Sequence, residues 1–583
     1  MKLMKGAAAL LVLAVLFSPM ATAQDREALP GPGDTPTTFE NPDLVGRYIE
    51  TITADDLAAH LYFFASDFFE GRETSTRGQK MAAEYLASQY RKMGVAPKGT
   101  AATDNPRSPK AYLQPFPLYG SRFEQVELYL GDSSEPSHVF GGELTDGSFM
   151  TLFGANEADN SANVVFGGYG IQDEELGYND FAAMEAAGID WAGKWVMILA
   201  DEPMSDSETS LLPTEDHALS SWTTSRFDKL RIYFGSDGDP PAGVLVVGDL
   251  SPRGSAVYER ARTRGTAPAG VGGLSLDAPE EEGEEAASRP IFLTISAELA
   301  NEISGRDIAA VKQEIDSSLN PVVFEIDSPL RARVISNSYE TSSENVVAFI
   351  EGSDPVLKDE YVVISSHYDH IGLSNNEEDG VNNGADDDGS GTVTVLEIAE
   401  AFIKAKNDGY GPRRSILFLN VAGEEKGLLG SAYYTDYEPI VPLEQTVTNL
   451  NIDMIGRIDP THPGEDSDYV YIIGSNLVSQ ELHDINIRTN EIIGTKLDLN
   501  ERFNSIDDPN QFYRRSDHWN FGKNNIPFIF FFTGTHEDYH GVDDEPEKIE
   551  YERMARIAHV IFATAWQVAN QDTRPVVSGD GFN

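Results

Sequence analysis

Six acidic and histidine side chains, far apart in the chain, have the types that bind metal ions and transfer protons. They are His367, Asp387, the adjacent pair Glu424 and Glu425, Asp453 and His540. Zinc binds imidazole nitrogen and carboxylate oxygen. Two metal ions about 3.5–4 Å apart lower the pKa of a shared water and neutralise the oxyanion that forms when this water attacks a carbonyl. A further carboxylate must accept the proton of the water. The set therefore indicates a two-zinc hydrolase, and the absence of cysteine excludes zinc-thiolate and cysteine-nucleophile chemistry.

Most of these side chains lie at or just after the end of a short apolar segment. The segments are 361–366 before His367, 415–421 before Glu424, 450–452 before Asp453 and 527–532 before the loop that reaches His540. Such runs are typical of strands buried on both faces of a mainly parallel sheet. Loops beyond the carboxyl ends of parallel strands gather ligands from distant parts of a chain. We therefore predict an α/β fold with a mixed, mainly parallel central sheet flanked by helices.

The same residues also have simpler interpretations. The acids at 386–388 could cap the helix that the apolar spacing predicts after them. The pair Glu424-Glu425, taken alone, is typical of a solvated surface, although the preceding strand and the following Gly427 favour a catalytic role. We assign three nearby histidines to structural or supporting positions outside the ligand set: His370, His518 and His536.

Six short motifs carry the candidate residues. In chain order they are Ser366-His367-Tyr368-Asp369-His370, residues 384–391, residues 423–431, Asn451-Ile452-Asp453-Met454, Ser516-Asp517-His518 and Asp538-Tyr539-His540. Together and in this order, they strongly resemble the co-catalytic zinc exopeptidase family that contains bacterial leucyl aminopeptidase and glutamate carboxypeptidase II. One such motif carries little information, whereas six in order are specific.

The resemblance implies a ligand role for five positions. Asp387 would bridge two zinc ions. His367 and Asp453 would complete the ligands of one ion, and Glu425 and His540 those of the other. Other divalent metals, such as cobalt or manganese, can occupy similar ligands.

The resemblance also implies roles in proton transfer and positioning. Glu424 would be the general base and then the general acid. Asp369 matches the acid that orients the first histidine, because the free ring nitrogen of a metal-bound imidazole needs an acceptor. Tyr513, three residues before Ser516, aligns with a tyrosine that helps to stabilise the oxyanion in some members of the family.

The predicted function is removal of amino acids from the N-terminus of peptides. Two alternatives use the same fold: a carboxypeptidase, which needs cations for a terminal carboxylate, and a glutaminyl cyclase, which uses one zinc ion. A third is a non-catalytic peptide-binding ectodomain, although the complete ligand set favours an enzyme. The candidate cations for a carboxypeptidase are Arg502, Arg514 and Arg515.

The charge of the chain restricts its partners. It has 95 acidic and 43 basic residues, for a formal net charge of -52. The negative electrostatic field of such a chain opposes binding to nucleic acid or anionic lipid and favours solubility. It is also compatible with a saline habitat. We expect peptide substrates, no nucleic-acid partner and no stable membrane insertion; the composition leaves the oligomeric state open.

The N-terminus resembles a secretory signal. Lys2 and Lys5 precede an apolar segment at about 7–17, and Ala21-Thr22-Ala23 offers a cleavage site. This segment is too short to favour a membrane span, although a retained anchor is the alternative. We expect an exported protein, periplasmic or extracellular.

Changes of pattern divide the rest of the chain. Strand-like runs between the two ends look like the protease-associated domain found inside many members of this family. The acidic run at 280–285 is predicted to be an exposed loop. The predicted segments are 1–23 signal peptide, 24–50 irregular leader, 51–125 N-terminal helical part of the catalytic domain, 126–330 inserted protease-associated-like domain, 331–570 zinc peptidase catalytic domain and 571–583 flexible tail.

Overall fold

The computed structural model describes most of the chain and shows a large mixed sheet flanked by helices, which confirms the predicted fold class. The described residues are 35–105, 107–141, 151–153, 158–224, 229, 232–233, 240–251, 273–278, 290–374, 380–462, 468–579 and 581. The predicted signal peptide over 1–23 and the acidic run at 280–285 lie outside them. No helix in the described residues combines the length and apolar character needed to cross a membrane.

Fifteen of the described strands form one sheet, and two short strands, β6 and β7, form a separate hairpin. The strands are β1 (Ala96–Pro97), β2 (Leu113–Leu130), β3 (His138–Gly141), β4 (Thr151–Phe153), β5 (Ala158–Gly167), β6 (Gln172–Asp173), β7 (Tyr178–Asn179), β8 (Trp195–Leu199), β9 (Gly243–Val247), β10 (Ile291–Ile295), β11 (Val323–Ile350), β12 (Tyr361–His367), β13 (Ser415–Val421), β14 (Thr446–Ile452), β15 (Tyr469–Ile473), β16 (Asp498–Asn500) and β17 (Phe528–Phe532). The main path of the sheet runs β16-β15-β17-β14-β12-β13-β11-β5-β8-β9-β10-β4, and β1, β2 and β3 lie off this path.

Residues 331–570, predicted to be the catalytic domain and called the catalytic half for that reason, have four adjacent parallel strands at their centre, in the order β17, β14, β12 and β13. Ile364 of β12 is paired with Phe418 of β13 on one side and with Leu450 of β14 on the other. All three side chains are fully buried. Every residue of β13 and β14 is buried, as expected for strands covered on both faces. The apolar runs in the sequence therefore predict these strands well.

Helices cover the sheet. In chain order they are α1 (Pro42–Ile49), α2 (Ala54–Phe64), α3 (Arg77–Met93), α4 (Asp180–Ala186), α5 (Ser221–Thr224), α6 (Ala297–Ser304), α7 (Ile308–Ser318), α8 (Gly391–Asn407), α9 (Leu429–Ala432), α10 (Ser475–Val478), α11 (Gln480–Ile493), α12 (His518–Gly522) and α13 (Tyr551–Asn570). Helix α8 contacts β12, β13 and β14, and α13 contacts α2, α8 and α11. Phe402 of α8 stacks on Trp566 of α13 with ring centroids 5.8 Å apart. This apolar layer fixes the strands whose ends carry the candidate ligands.

A long antiparallel strand pair connects the two halves of the molecule. Strand β11 pairs with β2 from Leu330 to Val346, with one register shift, and its ends pair with β5 and β13. The predicted domain boundaries at 126 and 330 fall inside these two strands. The pairing joins residues about two hundred positions apart, so the sequence pattern of either strand alone does not reveal it.

Residues 126–330, predicted to be an inserted domain and called the inserted half for that reason, have their own apolar core. Strands β5, β8, β9 and β10 are parallel neighbours, and Trp195, Leu245 and Leu293 are among the buried side chains between this part of the sheet and its helices. Helix α6 is capped by Ser296, whose hydroxyl accepts a hydrogen bond from the Leu299 amide. The inserted half therefore folds around a separate set of side chains.

Two terminal segments are more ordered than the sequence suggests. The leader predicted to be irregular over 24–50 contains α1, because Asn41 caps the helix and Pro42 suits its first turn. The described residues of the predicted flexible tail, 571–583, make backbone hydrogen bonds, including one from the Gly579 amide to the Val478 carbonyl at 3.1 Å. Amino-acid composition does not predict either of these ordered segments, because a few hydrogen bonds are sufficient to fix the position of a short segment.

Candidate metal centre

The candidate ligands meet at one edge of the sheet because they follow adjacent parallel strands. His367 is the last residue of β12, Asp453 directly follows β14, and Glu425 lies four residues beyond the end of β13. His540 lies in the loop after β17, and Asp387 lies in the turn before α8. The carboxyl ends of parallel neighbours point the same way, so short loops are sufficient to bring these five side chains together.

One group of ligand atoms lies around His367. Its Nε2 atom is 3.2 Å from Asp387 Oδ1 and 3.6 Å from Asp453 Oδ1. The three side chains are buried, and their nitrogen and oxygen atoms are close enough to surround a single ion. This is the first of the two ligand groups that the resemblance implies.

A second group lies on the other side of Asp387. His540 Nε2 is 3.0 Å from Asp387 Oδ2 and 3.2 Å from Glu425 Oε2. His370 Nδ1 is 2.9 Å from Glu425 Oε1 and 3.7 Å from Asp387 Oδ2. The structure thus brings together all five predicted ligands and adds His370, which we placed outside the ligand set. In the sequence, the signal for His370 is only its nearness to His367, three residues before it, and this spacing does not specify the direction of the side chain.

The donor set fits divalent zinc. Asp387 directs one oxygen to each group, which is what a bridging carboxylate requires. Burial raises the pKa of Asp387, but hydrogen bonds from His367 and His540 outweigh it and lower this pKa well below the usual value. Burial likewise lowers the pKa of His540, but Asp387 and Glu425 raise it to about 10. A bound metal ion would replace the protons that these imidazoles share with the carboxylates.

Glu424 lines the cavity that reaches the ligands. Burial, followed by the charges of Glu425 and Asp453, raises its pKa well above the usual value, although His367 opposes this shift. Its amide donates a hydrogen bond to Asp369 Oδ1 at 3.3 Å. A carboxylate that is half-buried, faces the cavity and has a raised pKa is suited to general base chemistry.

Residue 369 supports the first histidine in a slightly different way from the prediction. His367 Nδ1 is 3.1 Å from the main-chain carbonyl oxygen of Asp369 and 3.8 Å from its carboxylate. The carboxylate accepts a hydrogen bond from the Thr74 hydroxyl at 2.5 Å. Residue 369 therefore holds the ring through its carbonyl, while its side chain positions the backbone of Glu424.

The Ser516-Asp517-His518 motif supports Asp453. The Ser516 hydroxyl donates to Asp453 Oδ2 at 2.6 Å and accepts from the Asn451 amide at 3.0 Å. His518 is fully buried, and its pKa falls to about 3 because of that burial. His518 is therefore a structural residue, as the sequence interpretation assigned it.

The three acids at 386–388 have separate roles. Asp387 enters the ligand groups. Asp388 Oδ1 accepts from the amides of Gly391 and Met454, at 2.9 and 3.2 Å. Asp386 Oδ1 accepts from the Gly456 amide at 2.6 Å. Helix capping and metal binding, which were alternative interpretations of this loop, are thus divided between neighbouring residues.

Two buried groups hold the loop beneath Asp387. Asp544 accepts hydrogen bonds from the amides of both Asp386 and Asp387, at 3.0 and 3.1 Å. The buried guanidinium of Arg72 donates to main-chain carbonyls, including those of Tyr368 at 3.0 Å and Gly384 at 2.8 Å. Sequence inspection does not identify either group, because these contacts are made by the backbone of the ligand loops.

The cavity beside the ligands is lined by both apolar and polar side chains. Tyr513, predicted to stabilise the oxyanion, is not one of the residues that line it. Its buried hydroxyl donates to the Gly581 carbonyl at 2.9 Å. The residues that line the cavity are His367, Asp387, Glu424, Asp453, Met454, Phe512, Arg515, Phe530, Phe532, Thr535 and Tyr539.

Comparison with known proteins supports the assignment of the second half of the chain. Residues 345–565 match peptidase family M28. Aminopeptidase YwaD of Bacillus subtilis is 24% identical over 278 residues, covering 46% of this chain and 53% of the relative. A probable zinc metalloprotease of Pyricularia oryzae is 28% identical over 277 residues, covering 40% of this chain and 51% of the relative. The chain thus spans about half the length of these curated relatives.

A solved structure shares the fold over most of the chain. The aminopeptidase from Aneurinibacillus sp. strain AM-1 aligns with 92% of this chain and 97% of its own, with a TM-score of 0.50 and 16% identity. This similarity concerns the fold. The family match identifies residues 345–565, which contain the grouped ligands, as a peptidase family M28 domain.

Proposed function

We propose that this protein is a zinc-dependent aminopeptidase that hydrolyses the N-terminal peptide bond of its substrates. The observation that carries the proposal is the position of Asp387, whose two oxygens face two different imidazole and carboxylate groups beside Glu424. The name of the Bacillus relative supports aminopeptidase activity, and that of the Pyricularia relative supports zinc.

Two ion sites follow from the ligand groups. His367, Asp453 and Asp387 would hold one zinc ion, and Asp387, Glu425 and His540 would hold the other, with His370 beside Glu425. When bound, two such ions lower the pKa of a water and stabilise the charge on a tetrahedral intermediate. Asp369 and Ser516 hold His367 and Asp453 in the orientation that binding requires.

Glu424 would move the proton. Its carboxylate would accept a proton from the attacking water and deliver it to the amine that leaves. The raised pKa of this carboxylate makes it a stronger base than an ordinary glutamate side chain. The apolar side chains Met454, Phe530 and Phe532 line the same cavity and reduce the access of bulk water.

We also propose that the protein is exported and that its inserted half shapes access to the site. Residues 1–23 have the charge and apolar pattern of a signal peptide. The inserted half, with its separate core, would act as a protease-associated-like domain. Mass spectrometry of the mature N-terminus tests the first proposal: a chain that begins at Gln24 is expected, and a chain that keeps residues 1–23 contradicts it.

The activity can be tested with peptides of defined termini. The full chain, loaded with zinc, is incubated with peptides that carry a free or an acetylated N-terminus, with and without a chelator. We expect stepwise N-terminal shortening of the free peptides alone, abolished by the chelator, and about two zinc ions per chain. Shortening from the carboxyl terminus would indicate a carboxypeptidase, and one ion with cyclisation of N-terminal glutamine would indicate a glutaminyl cyclase. Absence of all turnover would indicate a peptide-binding ectodomain.

A further inference from the structure

Arg515 places a positive charge on the wall of the cavity that contains the candidate metal ligands. Among the described residues that line this cavity, it alone has a permanently charged cationic side chain. Arg515 directly follows Phe512–Arg514, the short helical turn before the Ser516 motif. Of the three arginines that the sequence offers for carboxylate binding, the structure places only this one at the cavity, because Arg502 and Arg514 are not among its lining residues.

The guanidinium of Arg515 has only weak partners. One nitrogen is 3.4 Å from the Asn510 carbonyl, and another is 3.4 Å from the Tyr539 hydroxyl. The group also lies 5.1 Å above the Phe512 ring. No carboxylate among the described residues forms an ion pair with it, whereas Arg413, Arg414 and Arg556 each have one.

The surroundings suit a bound carboxylate. A guanidinium presents parallel N–H groups that match the two oxygens of a carboxylate. Tyr539 adds a hydroxyl 3.4 Å from the guanidinium, and its ring stacks on the His540 imidazole at 3.9 Å. Phe512 and Phe530 supply an apolar wall next to the charge, and an ion pair is stronger beside apolar groups than in bulk water. A substrate carbonyl that reaches Glu424 would therefore bring the adjacent part of the peptide close to Arg515.

We propose that Arg515, with Tyr539, binds a carboxylate of the substrate and makes this site selective for peptides that carry one close to the scissile bond. The inference rests on the proposed peptidase function and specifies its substrate class. Two sources supply the same chemistry: an acidic side chain on the first residue, or the terminal carboxylate of a dipeptide. The experiment distinguishes them.

The test compares substrates that differ in one charge. The first arm uses glutamyl and glutaminyl aminomethylcoumarin, which lack a terminal carboxylate. The second uses the dipeptide Ala-Ala and its C-terminal amide, which lack an acidic side chain. The proteins are the zinc-loaded wild type, Arg515→Met, Arg515→Lys and Arg514→Met. Arg514 is the matched control, because it is exposed like Arg515 and lies next to it but does not line the cavity; its guanidinium lies 5.1 Å over the Trp519 ring.

In at least one arm, we expect the wild type to favour the carboxylate substrate by about tenfold or more in kcat/KM, mainly through KM. Arg515→Met should remove this preference, Arg515→Lys should retain part of it, and Arg514→Met should leave it unchanged. The arm that responds identifies the source of the carboxylate. A wild type without preference in both arms, or an equal loss in Arg514→Met, overturns the inference.

A binding measurement separates this inference from the proposed function. The wild type and Arg515→Met are titrated with free glutamate and free glutamine in a calorimeter. Tighter binding of glutamate by the wild type, about tenfold and dependent on Arg515, supports the carboxylate site even if no peptide is hydrolysed. Equal binding of glutamate by the two proteins, in the absence of turnover, contradicts both the site and the proposed function.

Discussion

The catalytic and inserted halves of the molecule both place acids beyond the ends of parallel strands, yet among the described residues only the catalytic half forms ligand groups. In the inserted half, Asp201 and Glu202 follow β8, and Asp249 follows β9. Glu202 accepts from the Ser220 amide at 3.2 Å and from its hydroxyl, and Asp249 accepts from the Ala297 amide at 2.7 Å. Among the described residues, the groups that could hold a metal lie in the catalytic half.

The difference lies in what each carboxylate faces. The acids of the inserted half accept hydrogen bonds from nearby amides and hydroxyls, which position loops and helix ends. The acids of the catalytic half face imidazoles that come from other strand ends, such as His367 and His540. Acids at strand ends therefore occur in both halves. The metal centre differs because imidazole nitrogens converge on its acids, whereas the acids of the inserted half hold loops and helix ends in place.

The largest expected effect comes from the bridging position. Asp387→Ala removes the side chain shared by both ligand groups, so both zinc ions should be lost. Peptide hydrolysis should fall below about a thousandth of wild type, the scale for disabling a whole catalytic unit. Elemental analysis of the purified variant gives the zinc content. Asp201→Ala is the matched strand-end control and should keep both ions; normal zinc content in Asp387→Ala would remove the bridging assignment.

Glu424→Gln should separate chemistry from metal binding. The amide has a similar shape but accepts no proton, so turnover should fall by at least about a hundredfold while zinc is retained. Single-turnover rates and zinc content measure the two effects. Glu202→Gln changes a buried glutamate of the inserted half in the same way and should leave turnover unchanged. Wild-type rates in Glu424→Gln would assign the proton transfer to another residue.

Ser516→Ala tests whether a side chain that holds a metal ligand in place affects the affinity for zinc. Without the hydroxyl that donates to Asp453 Oδ2, affinity for the ion between His367 and Asp453 should fall by about 10- to 100-fold. Competition with a chromophoric chelator measures this affinity. Ser220→Ala, which removes the hydroxyl that donates to Glu202, should not change it. If both variants bind zinc as the wild type does, Asp453 is held by the backbone alone.

The smallest effect concerns stability in the inserted half. Asp180 accepts hydrogen bonds from the Tyr169 and Ile171 amides, both at 3.0 Å. Burial raises its pKa from 3.8 to about 7. Because this pKa is higher in the folded state, its contribution to the free energy of unfolding is present below about pH 4 and is lost as pH rises through about 7.

Asp180→Asn should remove that pH dependence. Relative to the variant, the wild type should lose no more than about 4 kcal/mol of stability between pH 4 and pH 8. Urea unfolding of the full chain at several pH values measures the difference, and peptide hydrolysis at pH 7 should stay unchanged. Parallel pH profiles for the two proteins would mean that Asp180 stays ionised when folded.

Much of the catalytic half can be predicted from local sequence. The apolar run at 415–421 coincides with β13, and that at 361–366 covers all of β12 except its last residue. All five predicted ligands converge because parallel topology directs strand ends to one edge. The spacing of the motifs and the types of their side chains carry this information.

Other features depend on side-chain direction or on distant pairing. His370 turns toward Glu425, a direction that sequence spacing does not specify. The hydroxyl of Tyr513 donates a hydrogen bond to the Gly581 carbonyl, near the end of the chain. Arg515, rather than Tyr513, lines the cavity. The contacts of Asp544 and Arg72 are with backbone groups. Each of these facts becomes visible only when the tertiary packing is known.

The continuity of β11 limits how the protein can be trimmed. A version cut at the predicted boundary of 331 would lose the first residues of a strand that extends from Val323 to Ile350. If β2 were also removed, the part of β11 that pairs with it, up to Val346, would have unpaired amides and carbonyls along one side. Exposed strand edges of this kind recruit strands from other molecules. Recombinant production of the peptidase half alone would therefore be prone to aggregation.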